Sequence, residues 1–581
     1  MKKTLLASAL LLMLSVAASA QESIHVNQVA MYPQQDKIAV IEGDVSGQQV
    51  LVRKKGSDTT LDVVKTMKVV ESPLSGKKRT VVDFSALKDE GEYQIECNGD
   101  VQAFRVQHSA LADIAKSALK AFYYQRSGMA IEPEYAGMWS RPSAHPDNVV
   151  YVHPSAATKK RPADTVISSP YGWYDAGDYN KYIVNSAYTI AMMLFSYEHN
   201  KDYFADFKVN IPESNNSTPD ILDEIMYNLK WMLTMQDPAD GGVYHKLTTP
   251  NFEAFIAPSA CKQRRYVVQK SVTATLDFAA VMAIAARIYK GNADYPDFSS
   301  RAAKAAEKAY KWAVKNPKAL YFQEEMNRKF APAVATGTYG DGNAKDEFFW
   351  ADVELYLLTG KKAYRESMNQ YTFTHYSRPT WNMVASLGMY ELAANERLQV
   401  TGYRLKENPQ PTTSNLITYC NSIKSKIPNS AFATPSGNAA ADFAWGCLSE
   451  TFCNDAVSLL FAYRLTGDKS YLSAAQANCD YVLGRNALGY CYVTGFGSKS
   501  PMHPHHRLSA SDGIEAPIPG LLVGGPNPGQ QDRGNNVKYN SSFADESYVD
   551  ILDSYASNEI AINWNGTLLA ALAWLDACYS K

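Results

Sequence analysis

The stretch "HSALADIAKSALKAFYYQRSG", His108–Gly128, divides the chain into two patterns. Its apolar residues Leu111, Ile114, Ala115, Ala118, Leu119 and Phe122 recur at helical spacing, and that period persists to the C-terminus. Upstream the pattern is short and alternating, in "KIAVIEG", "QQVLVRKK", "TMKVVES", "RTVVDFS", "GEYQIEC" and "QAFRVQ". Turn residues such as Gly43-Asp44, Ser75-Gly76 and Asn98-Gly99-Asp100 separate these runs, as in a small antiparallel sandwich. Downstream, helices are expected to begin near Ala110, Tyr182, Pro219, Ser271, Ser299, Asp346, Lys361, Pro379, Thr412, Cys447, Lys469 and Asn558. Twelve helices suggest six hairpins, and closing these into a ring gives a double-layered α/α barrel. An open solenoid is the rival, but no self-similarity at a fixed period supports one.

The first residues read as an export signal: Lys2 and Lys3, an apolar run from Leu5 to Val16, then Ala18-Ser19-Ala20. Three parts are therefore expected: a signal peptide over 1–20, a β-sandwich over 21–107, and a helical barrel over 108–581. No later run reaches the roughly 20 apolar residues of a membrane span, so an exported protein is expected, in the periplasm or the medium. A net charge of -2 provides no basic field for nucleic acid. The chain is 12% aromatic, with 37 tyrosines and 9 tryptophans, and such planar side chains stack on sugar rings as well as filling cores. Eight cysteines show no CxxC, and Cys447, Cys453, Cys479 and Cys578 lie in helical patterns as expected buried thiols.

Three stretches could carry chemistry. In "WYDAGDYNKY", Asp175 and Asp178 flank Ala-Gly, a spacing that lets both carboxylates reach one small volume. Crowded carboxylates raise each other's pKa and can hold or activate a water, although turn and cap duty is the alternative. Trp173, Tyr174, Tyr179 and Tyr182 are expected to form a stacking wall beside them. In "PMHPHHR", His503 to Arg507, an intervening proline makes a zinc trio awkward, and His and Arg can instead hydrogen-bond hydroxyls. In "DSYASNEIAINWN", Glu559 is either a first-turn acid favoured by the helix dipole or a general acid raised by Tyr555, Trp564 and apolar surroundings. Residues 491–556, rich in Gly, Pro, Asn and His, form a connection too long to be idle, and ordered packing over a site is expected.

Two carboxylates opposed by one protonated carboxyl are the apparatus of glycosidic bond hydrolysis. In this order the stretches, with "IPESNNSTPDILDEIMYNLKWMLTMQ", "DGGVYHKL", "TYGDGNAKDEFFWADVELYLLTG", "DYVLGRNALGYCYVTGFG" and "PGLLVGGPN", resemble glycoside hydrolase family 9, the endoglucanase family with an (α/α)6 barrel. The N-terminal part, with "HVNQVAMYP", resembles the immunoglobulin-like module preceding many such domains. The resemblance implies an inverting endo-β-1,4-glucanase acting on cellulose-type, mixed-linkage or xyloglucan chains, with Asp178 as general base, Asp175 sharing its water and Glu559 as general acid. Inversion calls for carboxyls about 6.5–9.5 Å apart. His505, Arg507, Trp564, Trp173 and Tyr555 are the expected substrate-binding residues. No cofactor is implied for catalysis, while Asp346 and Glu347 resemble a structural calcium site, with metal-free capping as the alternative. A monomer is expected. The rivals are an exo-acting glucosidase or glucosaminidase of the same family and a non-catalytic glycan binder. Cys491 and Gly566 depart from the family's usual residues.

Overall fold

A computed structural model describes residues 23–394, 412–534 and 536–580. The expected signal peptide lies outside the described residues.

Eight strands build the N-terminal sandwich: β1 (Ile24–His25), β2 (Ile38–Glu42), β3 (Leu51–Lys54), β4 (Thr60–Leu61), β5 (Thr66–Glu71), β6 (Lys78–Asp83), β7 (Gly91–Cys97) and β8 (Asp100–Val106). They form two antiparallel sheets in the orders β1-β2-β6-β5 and β4-β3-β7-β8. In β7 the buried residues alternate as Tyr93, Ile95 and Cys97, so a single face meets the sandwich core. β2 differs because its apolar run is continuous. Ala39 and Ile41 enter the sandwich core, whereas Val40 joins the core of the helical domain. This sheet is therefore covered on both faces. Tyr32 and Asn27 extend the contact, donating to Asp576 at 2.6 Å and to Asp480 at 2.8 Å, and the Tyr32 ring stacks on Tyr579 at 4.4 Å.

The rest is an (α/α)6 barrel. Among the described residues its twelve principal helices are α1 (Ala112–Gln125), α2 (Ile183–His199), α3 (Asp220–Thr234), α4 (Val272–Ile288), α5 (Phe298–Lys315), α6 (Lys345–Thr359), α7 (Lys362–Met368), α8 (Ala385–Ala394), α9 (Thr412–Lys424), α10 (Asn454–Thr466), α11 (Lys469–Val482) and α12 (Ile562–Tyr579). Even-numbered helices line the inside and odd-numbered helices surround them, and α12 packs on α2 to close the ring. Burial explains the division. α2, α4 and α12 are buried on all sides, from Ile183 to Ser196, Val272 to Ala286 and Ile562 to Ala577. α5 buries only Phe298, Ala302, Ala305, Ala306, Ala309, Tyr310 and Ala313, one stripe of an otherwise charged helix. Five inner helices carry a cleft-lining side chain at or just before their N-terminal end: Tyr182 for α2, Tyr339 for α6, Trp381 for α8, Glu450 for α10 and Glu559 for α12.

No disulfide forms among the described residues. Cys447, Cys453 and Cys479 are buried thiols, whereas Cys578 is half-buried.

Candidate active site

Backbone contacts bring the three stretches together. The Asp175 carbonyl accepts from Ile562 N–H at 2.8 Å, and Ala176 bridges Ala561, which ties the aspartate loop to the start of α12. Gly177 carbonyl accepts from both the backbone N–H and Nη1 of Arg507, at 3.0 and 2.9 Å. His505 N–H donates to Asn558 carbonyl at 2.9 Å, beside Glu559. At this crossing a Cβ on Gly177 would stand 2.1 Å from the His505 carbonyl oxygen. The glycine between the two aspartates is thus what permits the histidine segment to lie across them. The described parts of the long connection, residues 491–534 and 536–556, are folded over the same end: Gly524 N–H reaches Glu559 carbonyl at 2.9 Å, and Asp550 accepts from the N–H groups of Met502 and His503.

These contacts place Asp175, Asp178 and Glu559 on one cleft of about 840 Å³. Asp175 accepts from Asn185 Nδ2 and from the Tyr339 hydroxyl, each at 2.7 Å. Asp178 accepts from Asn180 Nδ2 and, at 3.2 Å, from the Tyr182 hydroxyl. Burial, then repulsion by Asp178, pushes Asp175 up to about 8. Burial also raises Asp178, against the pull of Arg507 and its donors. Glu559 is pushed up to about 8 by burial and then by Asp178, with Arg507 and the Gly177 N–H opposing. Behind the pair lies Lys246, whose Nζ donates to Gln323 at 2.7 Å, Thr336 at 3.0 Å and Gly337 carbonyl at 2.6 Å. Burial lowers it to about 7, and the two aspartates resist.

Tyr555, Trp564, His505 and Arg507 all line the cleft. His505 Nδ1 meets the Leu552 carbonyl at 2.7 Å, so it carries the proton and leaves Nε2 as an acceptor. Burial keeps this ring neutral, with its pKa lowered to about 4. Arg507 spends Nε on Glu253 carbonyl at 2.7 Å and Nη1 on Gly177, with its guanidinium over Phe255. Trp173 is a correction. It is 0% exposed, donates to Glu224 at 2.8 Å and packs against Phe122, so it supports the loop from the core and offers no face to a substrate. Tyr174 and Tyr179 are likewise buried, and of the expected wall only Tyr182 lines the cleft. The remaining lining includes Tyr339, Trp381, Trp445, Phe252 and Glu450, which no local pattern singled out.

Among the described residues no group of three or more His, Cys, Asp or Glu side chains is gathered as a metal cage. His506 contacts Ser509 and Gln125, away from the partner of His505. Asp346 and Glu347 lie in the first turn of α6, where they interact electrostatically with Asp277 and Asp341. Both Asp277 carboxylate oxygens, Asp341 Oδ2 and Glu347 Oε2 are buried without a hydrogen-bond partner. Burial and then mutual repulsion raise Asp277 and Glu347 well above the usual carboxylate range. Unsatisfied oxygen donors of this kind fit a hard cation such as calcium.

Residues 112–572 match the model of glycosyl hydrolase family 9, and residues 19–102 match that of the cellulase N-terminal Ig-like domain. The chain is 52% identical over 575 residues to a xyloglucan-specific endo-β-1,4-glucanase of Bacteroides ovatus, covering 97% of this chain and 95% of the relative. It is 32% identical over 563 residues to endoglucanase D of Acetivibrio thermocellus, covering 95% and 83%. A solved Bacteroides ovatus GH9 structure superposes with a TM-score of 0.90 at 51% identity, covering 96% of this chain and 100% of that one. A thermostable endoglucanase of Alicyclobacillus acidocaldarius, solved as a single mutant, gives 0.85 at 29% identity, covering 96% and 99%. On this evidence of sequence and fold, the chain belongs to glycosyl hydrolase family 9 and carries a cellulase-type Ig-like domain ahead of its barrel.

Proposed function

We propose that the protein is an exported, inverting endo-β-1,4-glucanase that cleaves xyloglucan. That it is a glycoside hydrolase of the cellulase type follows from its family and relatives. The finer reading is carried by one observation: three carboxyls line a single cleft, the buried Asp175 and Asp178 on one loop and the half-buried Glu559 on another. The specificity of the 52% identical relative supports xyloglucan as the substrate.

Glu559, with its pKa near 8, keeps its proton at neutral pH and donates it to the glycosidic oxygen as the C1–O bond breaks. A water attacks C1 from the opposite face and loses its proton to Asp178, whose negative charge Arg507 favours. Asp175, fixed by Asn185 and Tyr339, orients that water. His505 Nε2 accepts from a sugar hydroxyl, and the lining aromatics stack on ring faces. No cofactor takes part. A calcium ion bound at Asp346 and Glu347 would neutralise charge in the first turn of α6 and brace it.

The test is Glu559→Gln, assayed on xyloglucan, mixed-linkage glucan and carboxymethylcellulose. Rapid viscosity loss on xyloglucan by the wild type and its absence in the variant, with unchanged circular dichroism, are expected. Proton NMR of the first product should show the α-anomer, and the β-anomer would refute single displacement.

A further inference from the structure

The cleft holds a fourth carboxyl group that bond cleavage does not use. Glu450 lines it from the π-helical turn Leu448–Cys453, which leads into α10. A π turn breaks the α-helical register, and such bulges are frequent at functional sites. Here the neighbouring Ser449 and Thr451 are buried, while Glu450 is half-buried at the cleft wall.

Its surroundings are aromatic and closely fitted. Gly446, at φ +77, has Trp564 so near that a Cβ would stand 2.5 Å from the indole Nε1, so the Trp445-Gly446 turn is packed directly against that ring. The Trp564 indole faces Glu450 and favours its ionised form. Trp445 lies obliquely against Tyr555, with ring centroids 5.5 Å apart. All four side chains line the same cleft. Among the described residues Glu450 forms no salt bridge, and the nearby Arg378 pairs instead with Asp455 at 3.8 Å. A carboxylate has two acceptor oxygens, so beyond any donor from the indole it keeps capacity for a hydroxyl in the cleft. Sugar rings stacked on aromatic faces direct their hydroxyls outward to such acceptors.

We propose that Glu450 is a substrate-binding residue that accepts hydrogen bonds from hydroxyls of a glucan unit stacked among Trp445, Tyr555 and Trp564. The assignment rests on the endoglucanase reading above and gives this wall of the cleft a polar anchor for the glucan backbone. Glu450 binds and orients but transfers no proton.

The experiment measures, at pH 8, the affinity of a xyloglucan oligosaccharide long enough to span the cleft. Titration calorimetry would compare Glu559→Gln with the double variants that add Glu450→Gln or Glu450→Leu, alongside their melting temperatures. Gln retains an acceptor for the Trp564 indole but loses the second, so a residue that merely holds Trp564 would leave affinity unchanged. Weakening by about tenfold or more in Glu450→Gln, with the melting temperature preserved, is the expected result. In the otherwise wild-type enzyme the same change should appear in KM more than in kcat. Equal affinity in the Glu450→Gln double variant would overturn the assignment, even if Glu450→Leu failed to fold. Absence of binding by Glu559→Gln alone would overturn the endoglucanase reading and the assignment with it.

Discussion

Gly177→Ala tests whether the crossing of the aspartate and histidine segments sets the catalytic geometry. The new Cβ would lie 2.1 Å from the His505 carbonyl oxygen, whereas real Cβ atoms essentially never come within 3.0 Å of such an atom. Backbone meets backbone there, so no flexible side chain can yield. The two segments must separate by about 1 Å, and a misplacement of that size costs on the order of 10²-fold in rate. Gly177 has no left-handed φ, so the penalty is steric and not torsional. Overpacking of this kind costs about 1–3 kcal/mol of stability. The variant should therefore fold, melt a few degrees lower and lose about 10²-fold in kcat/KM on xyloglucan. Ala176→Ser, one residue away, serves as the control. A folded Gly177→Ala enzyme within threefold of wild type would refute the argument that this contact fixes the acids.

Other consequences can be measured directly. Tyr339→Phe removes a 2.7 Å hydrogen bond to Asp175, which burial and Asp178 keep largely protonated at neutral pH, so a bond worth about 0.5–1.5 kcal/mol is lost and kcat should fall roughly twofold to tenfold with KM little changed. Activity should fade as pH rises through about 8, where Glu559 loses its proton, and a kcat profile flat to pH 10 would contradict its role as acid. Glu559 also binds its proton more tightly folded than unfolded, so its contribution to stability is full below about 4.5 and declines as pH rises towards 8. The melting temperature of Glu559→Gln relative to wild type should accordingly increase between pH 5 and 9. Chelation should lower the melting temperature if calcium is bound at Asp346 and Glu347, and an unchanged value would assign those two groups to metal-free capping of α6.

Much of the architecture was legible because burial imposes periodicity. The change of period after Val106 marks the passage from sandwich to barrel, and nine of the twelve expected helices start within two residues of the expected position, whereas α8, α10 and α12 start at Ala385, Asn454 and Ile562, after irregular or π-helical lead-in segments. The unbroken apolar run of β2 reflects burial on both faces. The strands Ile24–His25 and Thr60–Leu61 are too short to generate a pattern. In the site, acids and histidines concentrated in short motifs could be read, whereas Tyr339, Asn185, Lys246 and Glu450 come from scattered segments that only the ring brings together. Trp173 shows the limit of aromatic composition. Next to a catalytic motif, a tryptophan that faces a sugar and one that anchors the loop from beneath have the same local sequence, and only burial separates them.

The placement of cleft side chains at the N-terminal ends of inner helices has an evolutionary consequence. The shape of the cleft is written in segments that precede the barrel's buried cylinders, so those segments can be lengthened, shortened or exchanged while the interior stays intact. Recognition and architecture can then diversify at different rates. An investigator seeking a new glucan preference would graft the segments leading into α8 and α10, which carry Trp381, Trp445 and Glu450, and leave the sequences of the inner helices untouched.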